Sequence, residues 1–279
     1  MLARPGLPKV PGMESQEQSS APATIVSRPD FYIQTLDVRA QIGGEAYVKD
    51  LIPTLLELAD GLEILDVGCG TGADALRMAE QVAPRGKVVG FDHSPEMVAE
   101  ARDRARDTEW PIEFVQGEAT ALEFADGSFD RCRCDRVLSH VADPAAVIRE
   151  MARVTRPGGL VLASDLDGGT IFVGSSNREL ASRMTLRLTD SMANGWSGRS
   201  LQRQLHDAGL EDIRCVPTVI FNDVGFLRMV LGYTFGQMLD AGETTPDEVA
   251  EFWDELEQGE REGWQCSGVT CFTAVGRKP

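Results

Sequence analysis

Metal-binding and cross-linking side chains are scarce in this sequence. It has three histidines, and its six cysteines, at 69, 132, 134, 215, 266 and 271, include no C-x-x-C pair. That spacing supplies neither a zinc site nor a disulfide framework, so free, mostly buried thiols in a reducing compartment are expected, and no metal. No apolar run approaches the ~20 residues that span a bilayer, and the N-terminus lacks the charged-then-apolar layout of a secretion signal. Membrane insertion is therefore not expected, and the cytoplasm is the expected location. Basic patches are lacking too. With 27 bases against 44 acids the net charge is −17. Such a surface repels phosphate backbones and anionic headgroups, which disfavours nucleic acid as a partner.

What is present suits one α/β domain with insertions: 279 residues, 42% of them hydrophobic, too few for two separate enzymatic domains. Residues 1–28, rich in Pro, Gly, Ser, Gln and Ala, read as a disordered arm, and order is expected to begin near Asp30. Beyond it, short apolar runs alternate with amphipathic stretches. Strands are expected over 64–67, 87–91, 112–116, 130–134, 160–164, 216–221 and 269–275, and helices over 51–59, 73–81, 226–241 and 246–259. In the first helix Asp50 is the expected cap and Pro53 falls in the first turn. Ser94-Pro95 and Asp143-Pro144 each pair a capping side chain with proline at the first helical position. From Gly168 to Ala208 the pattern is helical, broken by Asn194-Gly195-Trp196-Ser197-Gly198-Arg199, a polar, glycine-rich turn with the composition of a lid. Strand-helix alternation predicts a doubly wound, mostly parallel sheet with ligands at the carboxyl ends of its strands.

The chain is organised around Ile64-Leu65-Asp66-Val67-Gly68-Cys69-Gly70-Thr71-Gly72. A buried strand runs into three glycines at every second position, and the following helix turns its N-terminal amides toward the same crevice. A loose dinucleotide pattern would be satisfied as well. Asp66 decides between ligands: a second negative charge at the strand end repels a pyrophosphate but suits a molecule carrying an ammonium and a sulfonium. Asp92, at the end of the next strand, offers a carboxylate that can accept two hydroxyl protons, and Met97 follows in the next helix.

This stretch resembles the first motif of the class I S-adenosylmethionine-dependent methyltransferases. The likeness continues through Phe91-Asp92-His93-Ser94-Pro95-Glu96-Met97, Gly117-Glu118-Ala119, Phe129-Asp130 and Arg156-Pro157-Gly158-Gly159. It covers roughly 55–165 and is greatest to the small-molecule type, the ubiquinone and menaquinone C-methylating enzymes. The resemblance implies a Rossmann-like seven-stranded sheet with an antiparallel last strand and helical cap and lid insertions. It divides the chain into a cap over 29–60, a cofactor-binding core over 61–168, a helical lid over 169–210 and C-terminal strands over 211–279 with a helical insertion at about 225–260. It implies S-adenosyl-L-methionine as cofactor, held by Asp66, Gly68, Cys69, Gly70, Gly72, Asp92, His93, Met97, Gly117, Glu118, Ala119, Asp135 and Arg136. Glu118 would read the adenine amino group, where aspartate is more usual. Arg136 departs from the neutral residue of many relatives, and pairing with Asp66, Asp135 or a substrate anion would account for it. His140 faces the transfer site in members that carry it and is the candidate catalytic base.

Tyr32, Trp196 and Tyr233 are the candidate contacts to a small-molecule acceptor. The acceptor atom stays open among carbon, oxygen and nitrogen, as does self-association into a homo-oligomer. Two other classes compete. A nucleotide-dependent oxidoreductase is disfavoured by Asp66 and Glu118, and a non-catalytic cofactor-binding protein by the intact motif set.

Overall fold

A computed structural model describes residues 43–279 together with Ile33. The arm over 1–28 and Tyr32 lie outside the described residues. Helix α1 (Gly43–Leu55) is followed by β1 (Glu63–Val67), α2 (Ala73–Val82), β2 (Lys87–Asp92), α3 (Pro95–Ala105), β3 (Ile112–Gln116), β4 (Phe129–Asp135) and α4 (Pro144–Val154). Then come β5 (Thr155–Val173), α5 (Arg178–Ser191), α6 (Ser197–Asp207), β6 (Glu211–Phe221), α7 (Val224–Asp240), α8 (Pro246–Glu262) and β7 (Ser267–Arg277). The strands form one seven-stranded sheet in the order β3-β2-β1-β4-β5-β7-β6. Only β7 runs against its neighbours, pairing antiparallel with β5 and β6. The order reverses between β2-β1 and β4-β5, so a crevice opens at the carboxyl ends of β1 and β4.

Central strands are buried on both sides, which is why their side chains alternate between two cores instead of between core and water. Leu65, Val67, Val89, Phe91, Cys132 and Cys134 face α4 and α6. Ile64, Val88, Leu160, Leu162 and Val275 face α1, α2 and α3. A third cluster joins Leu180 and Met184 of α5 to Leu231 and Phe235 of α7 and Phe252 and Leu256 of α8. Because β6 runs parallel to the central strands, α7 starts at the same end of the sheet as the crevice.

Both caps written in the sequence are formed: the Ser94 hydroxyl accepts from the Met97 amide and the Asp143 carboxylate from the Ala146 amide. Two expectations are corrected. The first helix spans Gly43–Leu55, so Pro53 lies in its last turn, and Asp50 is no cap but pairs with Arg77 at 2.8 Å. Periodicity from Leu51 onward was shared by the end of one helix and the turn after it. The helical pattern from Gly168 fails at its start. β5 continues for 19 residues to Val173, with Phe172 opposite Gly268 and Val173 opposite Ser267. Gly168 and Gly169 are poor helix formers, Ile171-Phe172-Val173 has strand propensity, and the register shift between Asp167 and Phe172 absorbs the glycines. Helix begins only at Arg178.

Leu162, fully buried at the centre of the sheet, tests this packing. Leu162→Ala should cost about 2–5 kcal/mol, read as a lower urea midpoint with unchanged slope.

Candidate active site

The glycine loop is held by the strand beside it. The amides of Gly68 and Cys69 both donate to the Phe91 carbonyl, at 2.7 and 3.0 Å, and Gly72 donates to Cys69. Gly68, Gly70 and Gly72 all have positive φ, a conformation that L side chains avoid. A Cβ on Gly68 would lie 2.2 Å from Val137, and one on Gly72 2.8 Å from the Phe114 ring. At those two positions, therefore, the protein itself occupies the space a side chain would need. No side chain caps α2, so its first amides remain available at the crevice.

Asp92 is buried and does more than the sequence indicated. One carboxylate oxygen accepts from the Gly70 amide at 2.9 Å, and the other from Ser94 at 2.9 Å with His93 Nδ1 at 3.3 Å. It thereby fixes the loop, yet each oxygen keeps acceptor capacity for a ligand hydroxyl. The bond to Asp92 holds the half-exposed His93 ring above its usual pKa, with Glu118 and Glu96 adding to the effect. Gly117 donates to the Asp92 carbonyl, and a Cβ on it would meet the Phe91 ring at 2.6 Å. Exposed Glu118 and half-buried Ala119 follow it. Met97 is buried in the first turn of α3. Cys69 is half-buried, its thiol pushed up by burial and by Asp66 and Asp92.

Behind the loop lies a buried charge cluster that sequence reading missed in part. Arg133, 3% exposed, stands opposite Asp66 in the β1–β4 register. Its guanidinium lies 3.4 Å from Asp66, 3.3 Å from Asp74 and 3.5 Å from Asp135. Asp135 also lies 3.9 Å from Arg136, and Arg136 pairs with buried Glu45 of α1. Lys49 of α1 reaches Asp74 at 3.0 Å. The cap helix is thus pinned over the carboxyl ends of β1 and β4 from both sides. Of the partners foreseen for Arg136, Asp135 is present and Asp66 is not; Glu45 was not foreseen. The one signal in the sequence was Arg131-Cys132-Arg133-Cys134, charges alternating with buried thiols in a central strand.

Neither oxygen of Asp66 has a hydrogen-bond partner, and the residue is 1% exposed. Burial pushes its carboxyl up to about 7 despite Arg133, with Asp74, Asp135 and Asp92 adding to the rise. A carboxyl so placed favours a cationic ligand group.

His140 is exposed on the turn after β4. Beside it, buried Asp165 accepts from the Ser139 amide at 2.8 Å and from Ser197 Oγ at 3.2 Å, and His140 acts electrostatically on that carboxyl. The turn read as a lid docks here: Asn194 donates from its amide to Ser139 O at 3.0 Å and from Nδ2 to Leu138 O at 3.1 Å. Trp196, 43% exposed, packs on Gly169 and carries the Arg199 guanidinium 4.5 Å over its ring. A cavity of about 380 Å³ lies against this turn, with Asp190, Trp196 and Gln204 in its wall. Tyr233 stands on α7, in the helical unit, and not on the loops carrying Asp66, Asp92 and His140. Among the described residues no His/Cys/Asp/Glu group could hold a metal.

The raised carboxyl of Asp66 has a consequence for stability. An unfolded aspartate ionises near pH ~4, so between there and about 7 the folded chain holds a proton that the unfolded chain releases. Stability from this group is present at low pH and lost as pH rises through 7. Unliganded Asp66→Asn should therefore melt above the wild type at pH 8, by a margin that narrows toward pH 5 in thermal unfolding.

Comparison with known proteins agrees with this geometry. Residues 58–209 match the methyltransferase domain family. An uncharacterised 37.1 kDa protein in transposon TN4556 of Streptomyces fradiae is 37% identical over 202 residues, 72% of this chain and 58% of that protein. The demethylmenaquinone methyltransferase of Lactococcus lactis is 39% identical over 121 residues, 43% of this chain and 48% of the enzyme. The chain thus spans less than two thirds of the length of either relative. The crystal structure of the YcgJ protein from Bacillus subtilis shares the fold, with a TM-score of 0.62 at 20% identity over 84% of this chain and 98% of that one. With the seven-stranded sheet, the glycine loop and its buried acid, the match over residues 58–209 makes the chain a member of the methyltransferase domain family, of the class I S-adenosylmethionine-dependent type.

Proposed function

We propose that the protein transfers a methyl group to carbon in a small acceptor of quinone or natural-product type, in the cytoplasm. The observation that carries the cofactor seat is Asp66, a buried carboxylate with no hydrogen-bond partner beside a glycine loop. S-adenosylmethionine supplies an electrophilic methyl on a sulfonium, and its ammonium and sulfonium are the cations such a site favours. Asp66, Asp135 and the backbone at Arg136 hold the methionine end, while Gly68, Cys69, Gly70 and Gly72 cradle it. Asp92 takes the ribose hydroxyls beside His93, and Met97, Gly117, Glu118 and Ala119 enclose the adenine.

Methyl transfer asks for in-line positioning and exclusion of water more than for proton traffic. The α1 cap, latched through Glu45 and Lys49, serves that purpose. The acceptor occupies the region between His140, the Asn194–Trp196 turn docked beside it and the helical unit that carries Tyr233. Carbon as the target rests on the likeness to the Lactococcus lactis demethylmenaquinone methyltransferase. Transfer to oxygen or nitrogen is the second reading, favoured by His140: an exposed imidazole beside Asp165 can take the acceptor's proton.

His140→Ala separates the two. Turnover with labelled cofactor against a panel of phenols, amines and quinols should persist for a carbon acceptor and fall about 10²–10⁴-fold for an acceptor that needs a base. Asp92→Ala should weaken S-adenosylmethionine binding by roughly ten- to a thousandfold in calorimetry, since it removes both the ribose acceptors and the anchor of Gly70. Unchanged affinity in the folded variant would refute the seat.

A further inference from the structure

Arg133 is the group in the site for which the reading above has no role. Its position follows from the β1–β4 register, which sets Asp66 and Arg133 side by side on the face toward α1 and α2. Yet the pair is not joined. The guanidinium approaches Asp66 at 3.4 Å, while Arg133 Nε and both Asp66 oxygens lack hydrogen-bond partners. Arg133 is instead shared with Asp74 and Asp135. A single guanidinium, that of Arg133, thus lies within 3.5 Å of three carboxylates, and of these Asp66 is the one in which neither oxygen has a hydrogen bond. Asp92 adds a further acid across the loop. The thiols of Cys69, Cys132 and Cys134 are held neutral by burial and supply no compensation. A buried carboxyl in that position can balance either by keeping a proton or by taking up a cation.

We infer that Arg133 is the resident counter-charge of the cofactor seat: it keeps Asp66 ionisable in a buried ring of acids without capping it, so that Asp66 releases its proton to solvent as the cofactor's cations arrive. Binding and deprotonation are thus one event, ionic throughout, and affinity rises with pH through neutrality. Arg133 is a positioning residue, acting through Asp66. This rests on the cofactor seat proposed above.

The test is calorimetry of S-adenosylmethionine binding between pH 6 and 8.5, in pairs of buffers with different ionisation enthalpies so that released protons are counted. S-adenosylhomocysteine serves as a second probe without the sulfonium. The ligand's own amine titrates near pH ~8, so the readout is the difference between wild type and Asp66→Asn. Wild type should gain about tenfold in affinity from pH 6 to 8 relative to Asp66→Asn, and should release up to one proton at pH 6. Arg133→Met should move that gain at least one pH unit upward, whereas Arg133→Lys should leave it near the wild-type position. If Arg133→Met does not fold, Arg133→Gln, which keeps donors beside Asp74 and Asp135 while removing the charge, is the second variant and should show the same upward shift.

Matching pH profiles for wild type and Asp66→Asn, or an unmoved profile in a folded Arg133→Met or Arg133→Gln, would each overturn the inference while leaving the seat intact. Absence of binding at every pH would overturn the seat, and the inference with it.

Discussion

A buried carboxyl without a hydrogen-bond partner, that of Asp66 where β1 ends beside β4, is the constraint on which the rest of this site depends. Removing a carboxylate from water without a partner is expensive, and Asp66 is tolerated only because Arg133 lies in register beside it. That arrangement in turn requires β1 and β4 to be adjacent and parallel. The topological switch point is therefore both the place where the crevice opens and the place where an acid can be buried. Sheet order and ligand electrostatics are one problem here, solved by the same pair of strands.

The cap helix extends the same logic. α1 buries Val48, Ile52 and Leu55 against the sheet, with Leu56 just beyond its end, and this apolar face supplies its adhesion. Its charged residues do something different: Glu45 answers Arg136 and Lys49 answers Asp74, both members of the cluster. The buried Glu45–Arg136 pair and the partly exposed Lys49–Asp74 pair are poor sources of stability but strong determinants of register, because a helix shifted by one turn would leave these charges unpaired. The apolar face holds α1 down, and the charges fix its placement over the crevice.

Much of the core was legible in the sequence because its signals are local. Short apolar runs marked the strands, Ser94-Pro95 and Asp143-Pro144 marked helix starts, and the glycines marked a turn of positive φ. What escaped depends on contacts between distant segments. The length of β5 is set by its pairing with β7 about a hundred residues later, which overrode a helical pattern after Gly168. Arg133 is unremarked in a strand until its register with Asp66 is known, and Glu45 reads as an ordinary acid until α1 is docked. Asp92 was legible as a ligand acceptor, but its bond to Gly70 belongs to the folded loop. Propensity describes a segment, whereas charge pairing describes where two segments meet.

The chemistry of the family explains why the investment lies in the seat and not in a catalytic constellation. The reacting methyl is already activated by its sulfonium, so an enzyme gains chiefly by holding two reactants in line and keeping water out. Such a site needs a rigid loop, a counter-charge and a cover, and in the function proposed these are the parts taken by Asp92, the Arg133 cluster and α1. Side chains that touch the acceptor are then free to vary, since little chemistry depends on them. In the placement proposed for the acceptor, the wall is a histidine, a docked turn and a separate helical unit with a core of its own, parts that can change without disturbing the sheet. A buried charge cluster cannot vary in the same way: each member is the partner that makes another tolerable, and changing one leaves a charge in the core with nothing to balance it.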